Sequence, residues 1–348
     1  MGVLLAYRVI VIDMSDLIEK AGLAGGYERK EICGMALEHI DHDFANPFQL
    51  EDLLIFDKQN LERVLKIAKV GPQHLAWSVQ GASEQLVQRL LACLPIAIRP
   101  VFLSELSHCV AREKVELARH ILLDKLFWEL TYWKTPELYD ELVQGEHLHP
   151  GIFRQLAPLI HDKIVLDAGA GSGRASFEAL HYGARLVYAL EPSPGLRHLL
   201  AQKLSSSPVP RAVVLCAGDF AHVPLPDQSV DLVLTCSAFT AEPEQGGEPG
   251  LAEFKRVTCP GGYIVVIWPR CEDHHWLAER GFQYVALSQE KEMGVEFASW
   301  RSAWRCVQRF YAYKQDVHDY LSKARHPRLP FSILGFHAPC DYSWFQVR

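Results

Sequence analysis

The chain has 348 residues, about twice the usual length of one domain, with 49% hydrophobic and 22% charged residues, which calls for two modules with a real core and excludes a disordered chain. The net charge of -7 is uneven, with 15 Lys+Arg against 22 Asp+Glu in residues 1–150 and 20 of each in residues 151–348; with no Lys/Arg-rich run, nucleic acid is not an expected partner. Nine scattered cysteines without a Cys-x-x-Cys pair point to neither a disulfide framework nor a zinc site and fit a reducing cytoplasm.

The N-terminal run Met1-Gly2-Val3-Leu4-Leu5-Ala6-Tyr7-Arg8 is interrupted by Arg8 and followed by Asp13 and Asp16, so neither a cleaved leader nor N-myristoylation is expected. No apolar span reaches the ~18 residues of a transmembrane helix. Residues 1–145 read as helices of about ten residues. Leu61, Val64 and Leu65, then Leu86, Val87, Leu90 and Leu91, then Leu106 to Leu122 fall at helical spacing, punctuated by Pro47, Gly71-Pro72, Gly81, Pro95, Pro100 and Pro136. After Gly145 the pattern changes to short apolar strands alternating with helices, which implies a parallel sheet covered on both faces. Expected strands are 163–168, 186–190, 212–216, 230–236, 263–268 and 282–287. A long aromatic helix is expected over 295–326, with final strands at 332–336 and 343–347.

The most informative segment is Ile164-Val165-Leu166-Asp167-Ala168-Gly169-Ala170-Gly171-Ser172-Gly173-Arg174. A buried strand ends in an acid, a glycine turn permits close approach to a ligand, and a helix opens at about Gly173. A dinucleotide fingerprint requires Gly-x-Gly-x-x-Gly/Ala. The sixth position holds Arg174 counted from Gly169 and Ser176 counted from Gly171, which argues against NAD.

This turn resembles that of class I S-adenosylmethionine-dependent methyltransferases, and the resemblance extends from about Tyr139 to the end. Glu191 lies 18 residues after Gly173, Asp219-Phe220 follows the third strand, Leu225-Pro226-Asp227 leads into the fourth, and Arg256-Val257-Thr258-Cys259-Pro260-Gly261-Gly262 precedes the fifth. The resemblance implies S-adenosylmethionine as cofactor. Asp167, Ala168, Gly169, Gly171 and Gly173 would lie at its methionine end, Glu191 and Pro192 at the ribose, Asp219 and Phe220 at the adenine, and Tyr139 and Cys236 beside it. A carboxylate such as Asp167 suits a cofactor that carries an ammonium and a sulfonium but no phosphate.

Thr235-Cys236-Ser237-Ala238 replaces the Asn/Asp-Pro-Pro motif of base and glutamine methyltransferases, so the resemblance favours a small-molecule acceptor. His147, His149, His274 and His275 are candidate proton acceptors, with capping and surface roles as the alternative. No metal is expected, because His147-x-His149 lacks a nearby third ligand.

Residues 46–125 are similar to the C-terminal domain of the flagellar motor switch protein FliG, through Phe48-Gln49-Leu50-Glu51-Asp52-Leu53, Leu61-Glu62-Arg63-Val64-Leu65-Lys66 and Gly81-Ala82-Ser83-Glu84-Gln85-Leu86. The family's hinge and acidic face are replaced by Pro47-Phe48-Gln49-Leu50 and Ser107-His108, so a motor role does not carry over. The expected architecture is an all-helical, armadillo-like domain at 1–145 followed by a Rossmann-like α/β methyltransferase domain at 146–348. The helical domain would sit over the carboxyl edge of the sheet or bind a protein partner. A scaffold that senses the cofactor, and a protein methyltransferase, are the alternative functions.

Overall fold

A computed structural model describes residues 43–206 and 212–348; the expectations for residues 1–42, including the leader and lipidation readings, lie outside them. A 3-10 turn at Leu50–Ile55 precedes seven helices, α1 (Lys58–Ala68), α2 (Pro72–Ser78), α3 (Glu84–Cys93), α4 (Arg99–Ser107), α5 (Arg112–Lys125), α6 (Phe127–Lys134) and α7 (Pro136–Gly145). Local chemistry sets the starts of three of them. Asp57 caps α1 by accepting from the Asn60 N–H, Ser83 caps α3, and Pro136 opens α7, where a missing N–H costs nothing.

The remaining elements alternate: α8 (Gly151–Ile160), β1 (Ile164–Ala168), α9 (Arg174–His181), β2 (Leu186–Leu190), α10 (Pro194–Ser205), β3 (Val213–Cys216), β4 (Val230–Cys236), α11 (Gly247–Val257), β5 (Thr258–Ile267), α12 (His274–Glu279) and β6 (Gln283–Ala286). Then come β7 (Gly294–Glu296), α13 (Trp300–Phe310), α14 (Gln315–Lys323), β8 (Arg328–Pro330), α15 (Phe331–Leu334) and β9 (Asp341–Gln346). The main sheet runs β3-β2-β1-β4-β5-β9-β6. It is parallel from β3 to β5, and β9 inserts antiparallel to both β5 and β6.

Side chains alternate across this sheet as the pleat requires. Val165, Leu232 and Val265 join Ile152, Leu156 and Ala179 on one face, and Leu166, Val233 and Ile264 join Leu251, Phe254 and Val257 on the other. Both faces of the central strands β1, β4 and β5 are thereby covered.

Two sequence expectations are corrected. The helix expected over 295–326 is a strand followed by two helices, because Val295 pairs with Leu329, Ser299 caps α13, and the helix stops at Phe310. The strand expected at 332–336 is the short helix α15, ended by Gly335 at φ +77°. An armadillo-like arrangement is not established for the helical region. Its core extends well beyond residue 145: Phe44, Phe127, Leu130 and Leu142 belong to one cluster with Val295, Val307, Phe310, Leu321 and Leu334. Phe310 stacks on Trp128 at 5.4 Å, and Glu146 forms a bridge to Val295. Residues 43–145 and the insertion between β6 and β9 together form one cap.

The cap rests on the sheet's carboxyl edge at several points. The Ser193 hydroxyl donates to the Tyr132 carbonyl at 2.9 Å, Lys69 pairs with Glu242 and Glu244 after β4, and the His149 N–H donates to the Pro339 carbonyl.

Candidate functional site

The glycine turn wraps the end of β2. The N–H groups of Gly169 and Ala170 both donate to the Leu190 carbonyl at 2.9 Å, and the Gly171 N–H donates to Glu191 Oε2 at 2.9 Å. Gly169, Gly171 and Gly173 have φ of +74°, +55° and +101°, a region that disfavours residues with a Cβ. A Cβ on Gly173 would meet Leu200 Cδ1 at 2.5 Å, and one on Gly169 would meet Ala238 at 2.8 Å. A Cβ on Gly171, by contrast, would meet only Tyr139 Cε1, at 4.0 Å. That open cradle is where a ligand can approach the backbone.

Two carboxylates flank the turn, and both are buried. Asp167 is 1% exposed; its Oδ2 accepts from the Ser176 hydroxyl at 2.6 Å, while Oδ1 has no partner among the described residues. Burial pushes its carboxyl up to about 6 against the Ser176 hydrogen bonds. Glu191 is 5% exposed and accepts from the N–H groups of Ser193 (2.8 Å) and Gly171. Burial pushes it up to about 7, opposed by those two bonds. A carboxylate oxygen that accepts one N–H retains a second lone pair, so Glu191 can still receive hydroxyls. The orphaned Asp167 oxygen, the open side of Gly171 and the acid at the end of β2 fit a cofactor with a cation at one end and a diol in the middle.

The other expected residues are placed as follows. Ala168 closes β1, fully buried, and the Pro192 carbonyl accepts from Arg197. Asp219 Oδ1 accepts from the Ala221 N–H and lies 2.9 Å from His222 Nδ1, and Phe220 packs edge-on against Phe239 and Phe254. Cys236 is buried, which raises its thiol. Tyr139 meets Tyr132 edge to face at 4.8 Å; burial raises its phenol, and Arg174 works against the rise.

The histidines divide. His274 contacts Tyr284 on β6 and lies 3.9 Å from Asp341 on β9, and His275 pairs with Glu279 with its side chain 87% exposed. With β9 three strands from β1, at about 4.8 Å per strand, these contacts lie roughly 14 Å across the sheet from the turn. His149 Nδ1 accepts from the Gly151 N–H at 3.1 Å. A neutral His149 therefore carries its proton on Nε2 and acts there as a donor. His147 and His149 border a cavity of about 680 Å³ that also touches Glu146, Ser172, Arg174, Phe177, His181 and Lys203. Among the described residues no group of three or more His, Cys, Asp or Glu could hold a metal ion, and no helix is long and apolar enough to cross a membrane.

Arg174 and Glu146 were not expected at the site. Arg174 contacts the Glu146 carboxylate at 3.3 Å, donates to Ser237 Oγ at 2.7 Å and lies 5.9 Å from the Trp268 ring. Burial opposes the charge on Arg174, but Cys236, Glu146 and Tyr139 outweigh it, whereas burial raises the Glu146 carboxyl against Arg174. The only sequence signal for this pair was an arginine opening the helix after the turn.

Residues 166–266 match the family described as a methyltransferase domain. An uncharacterized methyltransferase of Geobacillus kaustophilus (strain HTA426) is 34% identical over 175 residues, covering 47% of this chain and 77% of that protein. The malonyl-[acyl-carrier protein] O-methyltransferase of Yersinia pestis is 36% identical over 102 residues, 29% of this chain and 35% of that protein. A solved SAM-dependent methyltransferase from Aquifex aeolicus is 21% identical, with a TM-score of 0.36, covering 47% of this chain and 90% of that one.

Proposed function

Because the chain belongs to the methyltransferase family of its Geobacillus relative, with S-adenosylmethionine as cofactor, we propose that it methylates a small-molecule acceptor beneath the helical cap. When bound, the cofactor supplies a methyl group activated by its sulfonium. The observation that carries the reading is the cradle at Gly171, open on one side and flanked by the buried Asp167 and Glu191.

Asp167 would receive the ammonium of the methionine end through its unpaired Oδ1, and Glu191 the ribose hydroxyls. Asp219 and Phe220 would border the adenine, with Ala168, Gly169, Gly173, Pro192 and Cys236 shaping the walls and Tyr139 covering the centre. The cavity of about 680 Å³ has the size of a small-molecule site, and Arg174 and Glu146 connect it to the turn. Glu146, whose carboxyl burial raises, is the group on this wall suited to hold an acceptor proton. His149, as a donor, would orient the acceptor. Exclusion of water by the cap strengthens each of these interactions.

Residues 1–145 form the FliG-like part of this reading and residues 146–348 the methyltransferase part, in the cytoplasm. The likeness at 46–125 supports a packing and partner-binding role for the cap. A protein acceptor is the second reading, favoured by the 31% identity over 147 residues to a probable histone-arginine methyltransferase of Drosophila melanogaster.

Calorimetry with S-adenosylhomocysteine, followed by methyl transfer to fractionated small molecules and to proteins, tests the proposal. Binding with transfer to a low-mass product is expected. Transfer to protein alone would replace the acceptor class, and heat with NAD but not with S-adenosylhomocysteine would overturn the site.

A further inference from the structure

The cap sits on both loops that border the glycine turn. On one side, Tyr132 and Trp133 of α6 lie against the start of α10: the Ser193 hydroxyl donates to the Tyr132 carbonyl at 2.9 Å, and a Cβ on Gly195 would meet that same oxygen at 2.5 Å. On the other side, Lys69 at the end of α1 pairs with Glu242 (2.8 Å) and Glu244 (3.1 Å) on the loop after β4. In the sheet, β2 and β4 are the two neighbours of β1, so whatever joins α6 to α1 spans the carboxyl end of β1 and its turn.

That joint is an ion pair. Arg63 of α1 grips Glu129 of α6 through two nitrogens, at 3.1 and 2.7 Å. Glu129 lies one turn before Tyr132, on the same side of its helix. The pair is largely buried, with side chains 19% and 16% exposed, and Arg63 Nε is a buried donor with no partner among the described residues. A buried donor without an acceptor is costly. Its surroundings are those of the expected adenosine site, since Glu191 and Asp219 both favour the charge on Arg63 after the larger effects of burial and Glu129.

We propose that Arg63, held by Glu129, is a cofactor-binding residue contributed by the cap, its guanidinium donating to the adenosine half of S-adenosylmethionine. This rests on the cofactor site proposed above and adds a residue from outside the matched segment 166–266. The cofactor then touches both cap and sheet and holds them together. Arg63 suits the task because its fork is fixed by Glu129 while further N–H groups remain to be used.

Calorimetry on the full chain tests this with two ligands, S-adenosylhomocysteine and 5′-methylthioadenosine, which lacks the amino-acid end. The double variant Arg63→Met, Glu129→Gln removes both charges without stranding either. It is expected to bind both ligands about tenfold or more weakly, while Asp167→Asn weakens S-adenosylhomocysteine alone. Hydrogen exchange on the wild type supplies a second readout that needs no variant: S-adenosylhomocysteine should slow exchange in residues 58–69 and 126–134. A folded double variant with unchanged affinity for both ligands, or no added protection in those helices, would overturn the role of Arg63 and leave the cofactor site standing. A wild type that binds neither ligand would overturn both.

Discussion

In the proposed site Glu191 would couple folding, cofactor binding and pH through one buried carboxyl. Its value of about 7 compares with 4.5 for a free glutamate, a difference worth about 3 kcal/mol at ~1.4 kcal/mol per unit. Between those limits the folded chain retains a proton that the unfolded chain gives up. The stabilisation is therefore complete below pH 4.5 and is lost as pH rises through 7. Ribose hydroxyls donating to Glu191, as proposed above, would favour its ionised form, so binding should expel the proton. A group titrating at about 7 is roughly one-tenth ionised at pH 6 and nine-tenths at pH 8, which makes S-adenosylhomocysteine bind about tenfold more weakly at pH 6. Asp167, at about 6, adds a factor of about two at pH 6 that Asp167→Asn removes. Glu191→Gln should flatten the dependence and weaken binding by roughly 1.5–3 kcal/mol, the worth of a hydrogen bond to a charged group. The assay is calorimetry at pH 6, 7 and 8 in two buffers of different ionisation heat, which counts the protons released. Equal affinity at pH 6 and 8, with the glutamine variant binding like wild type, would refute the reasoning.

Gly173→Ala combines φ +101° with a Cβ 2.5 Å from Leu200 Cδ1 and should cost about 2–3 kcal/mol in thermal or urea unfolding. Gly171→Ala, by contrast, has space around its Cβ; it should cost about 1 kcal/mol of stability yet weaken S-adenosylhomocysteine binding measurably, because the methyl group occupies the cradle. Arg174→Met leaves Glu146 buried without its partner and should destabilise the fold by about 3 kcal/mol in urea unfolding at pH 8, with a smaller loss where Glu146 is protonated. His275→Ala removes an exposed pair, and methyl transfer should stay at the wild-type rate.

The parts of the site legible in the sequence are those encoded by adjacent residues. The apolar run into Asp167, the three glycines and the acid at Glu191 reveal strand, turn and next strand because each local choice has one backbone solution. Element boundaries in β2 and β4 follow for the same reason, as mostly buried strands bounded by turns. Contacts across long separations were not legible. Nothing near Ser299 announces that Val295 pairs with Leu329, so an aromatic stretch with helical spacing reads as one helix when it is a strand and two helices. Arg63 carries no local mark either; it follows a capped helix start like any surface arginine, and the carboxylate it pairs with, Glu129, comes 66 residues later. His149 shows the converse, because a candidate proton acceptor in the sequence becomes a helix cap once Gly151 N–H is placed against it.

The two-segment cap also sets an order of assembly. Its core joins Leu142 to Val295, with the parallel strands of the sheet encoded between them. At roughly 5–20 residues per second, Leu142 leaves the ribosome about 8–30 s before Val295. During that interval the faces of Phe127 and Trp128 that receive Phe310 have nothing to pack against, while the strands from β1 to β5 can already pair. The cap can therefore close only over strands β1 to β5, and β9, which inserts between β5 and β6, is synthesised after it. A chain truncated after β6 would keep the glycine turn but leave Phe127 and Trp128 without Phe310, and β5 and β6 without the strand that joins them.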